Sequence, residues 1–120
     1  MQTINYIILA VLLYLLLKRF IPVKGVMNIS TADLKNILND NSKQFIDVRT
    51  PAEFKGNHIR GFKNIPLHQL AQQANNQLEK EKEVVVICQS GMRSQKASKT
   101  LKNLGYTKVT NVKGGMNAWM

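Results

Sequence analysis

The seven residues Cys88 to Ser94 are the part of this 120-residue chain best suited to chemistry. They follow Val84-Val85-Val86-Ile87, whose β-branched, apolar residues predict a buried parallel strand. A helical pattern begins directly after them. Because ligands of open α/β sheets bind at the carboxyl ends of strands, this loop is well placed for a site. The sequence therefore predicts a site built on Cys88, the one cysteine of the chain.

The loop has the composition of an anion cradle around that cysteine. Gly91 allows the positive φ that turns successive backbone N–H groups inward. A helix beginning at Arg93 or Ser94 directs its positive dipole end at the same pocket, and Arg93 adds a planar set of donors for an oxyanion. Each of these effects favours a thiolate, which attacks sulfur or phosphorus carried by an anion. The alternative is a buried structural cysteine.

The elements that position this loop alternate between strands and helices. Ser30-Thr31-Ala32-Asp33 and Thr50-Pro51-Ala52-Glu53 are typical of capping boxes at helix starts. Strands are predicted at 44–48, 64–66, 84–87 and 109–112, and further helices at 67–78 and 94–104. The pattern predicts a small α/β domain over residues 24–120, with a mainly parallel central sheet flanked by helices.

The first 17 residues differ from the rest of the chain, because they carry no charged side chain. They are apolar on every helical face, which predicts a single transmembrane helix over residues 3–22 within an N-terminal segment 1–23. Lys18, Arg19 and Lys24 follow the apolar run. The positive-inside rule therefore predicts an N-terminus outside the cell membrane and a cytoplasmic domain. A cleaved signal, a buried core helix and self-association through the helix are the alternatives.

The formal net charge of +10 lies entirely in residues 18–120. Basic residues are spread along the chain without an aromatic-interleaved motif, so we expect no nucleic-acid partner. No second histidine, cysteine or acidic cluster has the spacing of metal ligands, so we expect no metal. His58 is interpreted as a turn residue bonded to backbone, His68 as solvent-facing, Glu53 as a capping residue and Trp119 as packing against the sheet.

Five blocks of residues occur in a suggestive order along the soluble part of the chain. They are Asp47-Val48-Arg49 with Glu53-Phe54, Gly56 to Gly61, Asn64-Ile65-Pro66, Cys88 to Arg93, and Gly114 to Trp119. Over about residues 27–119 they resemble the rhodanese-homology domain of sulfurtransferases. Two departures are noted: Phe62 stands where that family usually has a small residue, and the family's closing helix is expected to be reduced or absent.

The resemblance implies that Cys88 takes a sulfane sulfur from a small anionic donor such as thiosulfate and becomes a persulfide. The sulfur then passes to a thiol, to cyanide or to a protein acceptor, which implies covalent catalysis with ping-pong kinetics. It also implies that no metal or organic cofactor takes part, and that Arg93 binds the anionic end of the donor. The backbone N–H groups that hold the sulfur anion would be those of Gln89, Ser90, Gly91, Met92, Arg93 and Ser94.

Arg49 is a further candidate for the pocket, whereas Asp47 is interpreted as structural. Two other functions compete with sulfur transfer. One is a non-catalytic rhodanese-like module that docks a partner protein at the membrane. The other is a cysteine-dependent phosphatase or arsenate reductase, which resembles this layout but has five residues between cysteine and arginine. Here four residues separate Cys88 from Arg93, and the loop lacks an acid to protonate a leaving alcohol.

Overall fold

The computed structural model of the protein describes residues 2–18 and 25–119. Helices and strands alternate after the N-terminal helix. The helices are α1 (Gln2–Lys18), α2 (Thr31–Ile37), α3 (Pro51–Gly56), α4 (Leu67–Gln77), α5 (Met92–Asn103) and α6 (Gly115–Ala118). The strands are β1 (Val26–Ile29), β2 (Lys43–Asp47), β3 (Lys63–Asn64), β4 (Glu83–Ile87) and β5 (Val109–Val112).

The strands form one five-stranded sheet in the order β1-β5-β4-β2-β3, and every neighbouring pair is parallel. The prediction of a mainly parallel sheet flanked by helices is confirmed. Asp47, the last residue of β2, lies opposite Ile87, the last residue of β4. The segments that follow these two strands therefore meet at one edge of the sheet, where Val48 N–H donates to the Ile87 carbonyl at 3.0 Å.

Alternation along β4 divides the core between the two faces of the sheet. Val84, Val86 and Cys88 contact the apolar side chains of α4 and α5 on one face. Val85 and Ile87 contact those of α2 and α6 on the other. All five residues of this set are 0% exposed. Cys88 is thus the last residue of the strand's pattern that points toward α4 and α5.

Both predicted capping boxes are present. Ser30 Oγ accepts from Asp33 N–H at 3.1 Å, and Thr50 Oγ1 accepts from Glu53 N–H at 3.2 Å. In each case the acid returns a bond to the backbone N–H of the cap residue. Satisfying these otherwise unpaired N–H groups fixes where α2 and α3 begin. The start of α3 matters for the site, because Glu53 lies in its first turn.

Strand β1 is not among the strands that the sequence predicts. The strand has only four residues, and its two central side chains are exposed. It forms by pairing with β5, where Asn111 Nδ2 donates to Asn28 Oδ1 at 3.0 Å. Its partner lies 83 residues further along the chain. A local pattern does not contain that information.

The predicted transmembrane helix is not supported by the structure. Helix α1 has 17 residues, which at about 1.5 Å each give roughly 25 Å, less than the roughly 30 Å of a hydrocarbon core. Within residues 2–18 and 25–119, no helix combines the length and apolar character needed to cross a membrane. Residues 19–22, the remainder of the predicted span, lie outside the described residues.

Phe62, the residue at which the chain departs from the resemblance, is buried in the core on the α2 and α6 face. Its ring centroid lies 5.3 Å from that of Phe45.

Phe62→Ala is expected to lower the free energy of unfolding by about 3–5 kcal/mol, because it leaves a cavity in this core. Urea denaturation measures the change. Met27→Ala, at a residue 58% exposed, is the control and should change stability by less than about 0.5 kcal/mol. Equal losses in the two variants would contradict the prediction.

Candidate active site

Cys88 lies one residue beyond the end of β4, and its side chain is 0% exposed. The backbone N–H of Gly91 donates to Cys88 Sγ at 3.0 Å. The thiol in turn lies 3.4 Å from Ser94 Oγ, to which it donates. Of the predicted loop amides, that of Gly91 is thus in hydrogen-bond contact with the sulfur. A donor held at this distance stabilises negative charge on the sulfur.

Gly91 makes this contact because it adopts a left-handed conformation, with φ +105° and ψ −14°. Residues with a Cβ rarely adopt such a φ. The chain then enters α5 at Met92, one or two residues earlier than predicted. The positive end of this 12-residue helix therefore faces the sulfur, as the sequence indicated. The side chains of Ser90 and Met92 are exposed, so what these two residues can offer the sulfur is their backbone.

The loop is held from behind by helix α6. Met116 N–H donates to the Cys88 carbonyl at 2.8 Å, and Asn117 N–H donates to the Gln89 carbonyl at 2.9 Å. Since the C=O and the N–H of a trans peptide point in opposite directions, these bonds turn the N–H groups of Gln89 and Ser90 away from α6. The Gly114-to-Trp119 block thus sets the orientation of the active loop.

Gly115 is the residue that permits this close approach. A Cβ at this position would lie 2.3 Å from the Cys88 carbonyl oxygen and 2.8 Å from the backbone of Gln89. The residue also has a positive φ of +57°. Only glycine satisfies both conditions without moving the loop.

Arg49 contacts the active loop from the opposite side, but it does not face solvent. It is 1% exposed, and its Nη1 donates to Gln89 Oε1 at 3.2 Å. Its Nε and Nη2 donate to both carboxylate oxygens of Asp47, and Nη2 also donates to the Asn57 carbonyl at 2.6 Å. Arg49 is therefore a positioning residue that ties the ends of β2 and α3 to the loop. Asp47 is structural, as predicted.

Arg93 is paired with a carboxylate. Its Nη1 lies 2.6 Å from Glu53 Oε1, and its Nη2 lies 2.9 Å from Glu53 Oε2. The bond from Arg93, reinforced by the backbone N–H of Thr50, lowers the pKa of Glu53 from 4.5 to about 2. The same pairing raises the pKa of Arg93. Sequence reasoning missed this contact because Glu53 was explained by its capping box and lies 40 residues from Arg93.

A groove of about 380 Å³ opens on the face of the sheet toward which Cys88 points. Its walls include Val48, Leu67, His68, Arg93 and Lys96. It lies between the carboxyl end of β2 and the first turns of α4 and α5. Arg93 is the residue of the Cys88-to-Arg93 loop that lines this groove, and Cys88 itself is not part of its wall.

The remaining candidates have structural positions. His58 Nδ1 bonds to the Phe54 carbonyl at 2.8 Å, and its ring stacks on that of Phe54 at a centroid distance of 3.9 Å. This matches the interpretation of His58 as a residue satisfied by backbone. His68 is exposed at the groove. Trp119 packs against the core on the α2 and α6 face.

Comparison with known proteins identifies the class. The family model of the rhodanese-like domain matches residues 30–120. YqhL of Bacillus subtilis, an uncharacterized protein, is 47% identical over 76 residues, which are 63% of this chain and 60% of YqhL. A sulfurtransferase of Allochromatium vinosum is 35% identical over 88 residues, covering 73% of this chain and 76% of that protein.

A solved structure supports the same assignment. A rhodanese-like domain protein from Staphylococcus aureus superposes with a TM-score of 0.71 at 34% identity, covering 78% of this chain and 91% of the other. The chain belongs to the rhodanese-like family, and its α/β fold with a parallel sheet is that family's fold. The resemblance stated from the sequence is therefore confirmed.

Gly115→Ala is expected to displace the active loop and to lower the free energy of unfolding by at least about 2 kcal/mol, since the new Cβ overlaps the Cys88 carbonyl. Thermal unfolding measures the loss, and the rate of Cys88 alkylation by iodoacetamide, followed by mass spectrometry, should rise as the buried sulfur becomes accessible. Gly56→Ala is the matched control, because nothing lies within 4 Å of a Cβ added there. Identical behaviour of the two variants would show that the close approach is not required.

Proposed function

We propose that this protein is a sulfurtransferase in which Cys88 carries the transferred sulfur as a persulfide. The observation that carries the proposal is the Gly91 N–H donating to Cys88 Sγ at 3.0 Å at the N-terminus of α5. The naming of a family relative as a sulfurtransferase supports the same chemistry. With thiosulfate as donor, the Cys88 thiolate attacks the outer sulfur and the S–S bond of thiosulfate breaks. Sulfite leaves with the electron pair, and Cys88 keeps the sulfur.

In the second half-reaction, a nucleophile attacks the terminal sulfur of the persulfide and regenerates the Cys88 thiolate. The acceptor comes from outside the chain, since Cys88 is the one cysteine in the sequence. A thiol, cyanide or a protein thiolate has the required chemistry. Because the sulfur is buried, the acceptor must reach it with a slender group. No step of this scheme calls for a metal or an organic cofactor.

The alternative of a phosphatase fits the site less well. Cysteine-dependent phosphoryl transfer uses a guanidinium fork on the phosphoryl oxygens. In this structure the Arg93 fork is bonded to Glu53. A single sulfur atom on Cys88 needs no such fork, since the loop amide and the helix dipole suffice for one negative charge.

Incubation of the protein with thiosulfate is expected to add the mass of one sulfur atom, removable by dithiothreitol or cyanide. Intact-protein mass spectrometry checks the shift. In Cys88→Ser the shift should be absent. Met27→Ala, which changes an exposed side chain of β1 outside this loop, is the control and should load normally. Retention of the added sulfur in Cys88→Ser would exclude the proposal, and a protein that loads from no sulfane donor would favour the docking module.

We further propose that α1 holds the domain at a membrane, with the domain on the cytoplasmic side. The large apolar side chains of α1 are 50–70% exposed, and the helix presents no polar face. Exposed apolar surface of this extent calls for a lipid or protein cover. Lys18 is the last residue of α1, and Arg19 and Lys24 follow it in sequence, which favours the cytoplasmic orientation.

The full chain is accordingly expected to float with membranes in a sucrose gradient and to resist a high-salt wash, because apolar contacts are not screened by salt. Leu9→Lys with Leu13→Lys should release it. Lys96→Gln with Lys99→Gln, a change in the basic surface, is the control and should leave it bound. If the full chain sinks as a lipid-free oligomer, the apolar surface of α1 is covered by self-association and not by a membrane. If the full chain is a soluble monomer, both explanations are wrong.

A further inference from the structure

Both arginines beside the active loop are bonded to carboxylates. Arg49 uses its fork on Asp47, and Arg93 uses its fork on Glu53. A bidentate pair of this kind occupies the two donors that a sulfonate or sulfate-like group would need. An incoming anion therefore meets the loop amides and the dipole of α5, while the guanidinium forks of Arg49 and Arg93 are both occupied.

Glu53 is held so that it cannot easily turn away. Its Oε1 accepts from Thr50 N–H at 3.0 Å and from the Thr50 hydroxyl at 3.1 Å, as well as from Arg93. Its place in the first turn of α3 also favours the ionised form. A dianion that drew Arg93 away would leave this carboxylate unpaired beside it, and such an arrangement is unfavourable.

Lys96 is the other cation in the wall of the groove, one turn further along α5. Its side chain is exposed, so water and salt screen its charge. Lys96 therefore attracts anions in general and does not offset the charge of Glu53.

We propose that Glu53 determines donor specificity by disfavouring dianions, and that the donor class suited to this site is an organic persulfide whose reacting end carries at most one negative charge. This inference rests on the proposed function and concerns the same site. Thiosulfate remains a substrate, but a poor one. Glu53 acts through its charge and through Arg93, and it does not touch the sulfur in this structure.

The transfer from such a donor is balanced without an external oxidant. The Cys88 thiolate attacks the outer sulfur of R–S–SH, and a new S–S bond forms. The donor's S–S bond breaks, RS⁻ leaves with the electron pair, and the proton stays on the transferred sulfur. The product is Cys88–S–SH, and the total charge of −1 is the same before and after.

The test compares two donors, thiosulfate and 2-hydroxyethyl persulfide, on the purified full chain. The readout is the ratio of their kcat/KM values for loading Cys88, followed by intact-protein mass spectrometry. Glu53→Gln should raise the kcat/KM for thiosulfate about tenfold relative to the kcat/KM for the persulfide. This change corresponds to the removal of one repulsive charge near the dianion.

Asp33→Asn is the matched control, because Asp33 closes the capping box of α2 as Glu53 closes that of α3. Helix α2 packs on the face of the sheet opposite to Cys88. This variant replaces the same kind of capping carboxylate by an amide, but it should leave the donor ratio unchanged. A matching rise in Asp33→Asn would assign the effect to loss of stability and overturn the proposal.

A second variant separates repulsion by Glu53 from a role in orienting Arg93. The double variant Glu53→Gln with Arg93→Gln removes both charges, so its ratio should return to within about twofold of the parent value. If Glu53 only orients Arg93 as an anion binder, both Glu53→Gln and the double variant will lose thiosulfate loading, and the proposal is wrong. An unchanged ratio in Glu53→Gln also overturns it. Failure of the parent protein to load from either donor would instead overturn the proposed function.

Discussion

Two backbone hydrogen bonds between α6 and the loop that begins at Cys88 determine where the Cys88 sulfur lies. They join Met116 N–H to the Cys88 carbonyl and Asn117 N–H to the Gln89 carbonyl. They can form only because β5 is the neighbour of β4 in the sheet, so that the short turn after β5 arrives directly behind the loop. Gly115 then removes the side chain that would keep the two backbones apart. The contact between α6 and the loop thus depends on the order of the strands, on the short turn after β5 and on the glycine at position 115.

The other neighbour of β4 holds the loop by charge. Strand β2 ends beside β4, and the segment that follows it supplies Arg49 to the side chain of Gln89. Helix α3, which follows β2 after a connection of three residues, supplies Glu53 to Arg93. The contact between Glu53 and Arg93 is a carboxylate–guanidinium pair. The contact between Arg49 and Gln89 depends on such a pair, because Asp47 holds the Arg49 guanidinium in place. The loop is therefore fixed by main-chain bonds on the β5 side and by ion pairs on the β2 side, and the ion pairs also determine how much positive charge is left for a substrate.

The features that could be predicted from the sequence are those with local causes. Val84 to Ile87 form a buried strand because every residue is apolar. Each capping box fixes the start of its helix through contacts within a segment of only four residues. Strand β1 and the Glu53–Arg93 pair could not be predicted in this way, because each depends on residues far apart in the chain. The same limit applies to Gly115. Its place in a recognisable block was visible, but the carbonyl that it avoids belongs to a residue 27 positions earlier.

The sulfur of Cys88 and the conformation of its loop are linked through one residue, Gly91. Gly91 donates its N–H to Cys88 Sγ, while its carbonyl accepts from the Ser94 hydroxyl at 3.1 Å. A negative charge on the sulfur converts the first of these into a charge-assisted bond, which is stronger than its neutral counterpart. One glycine therefore fixes both the turn of the loop and the direction of the N–H that meets the sulfur, and a residue with a Cβ at this position would disturb both.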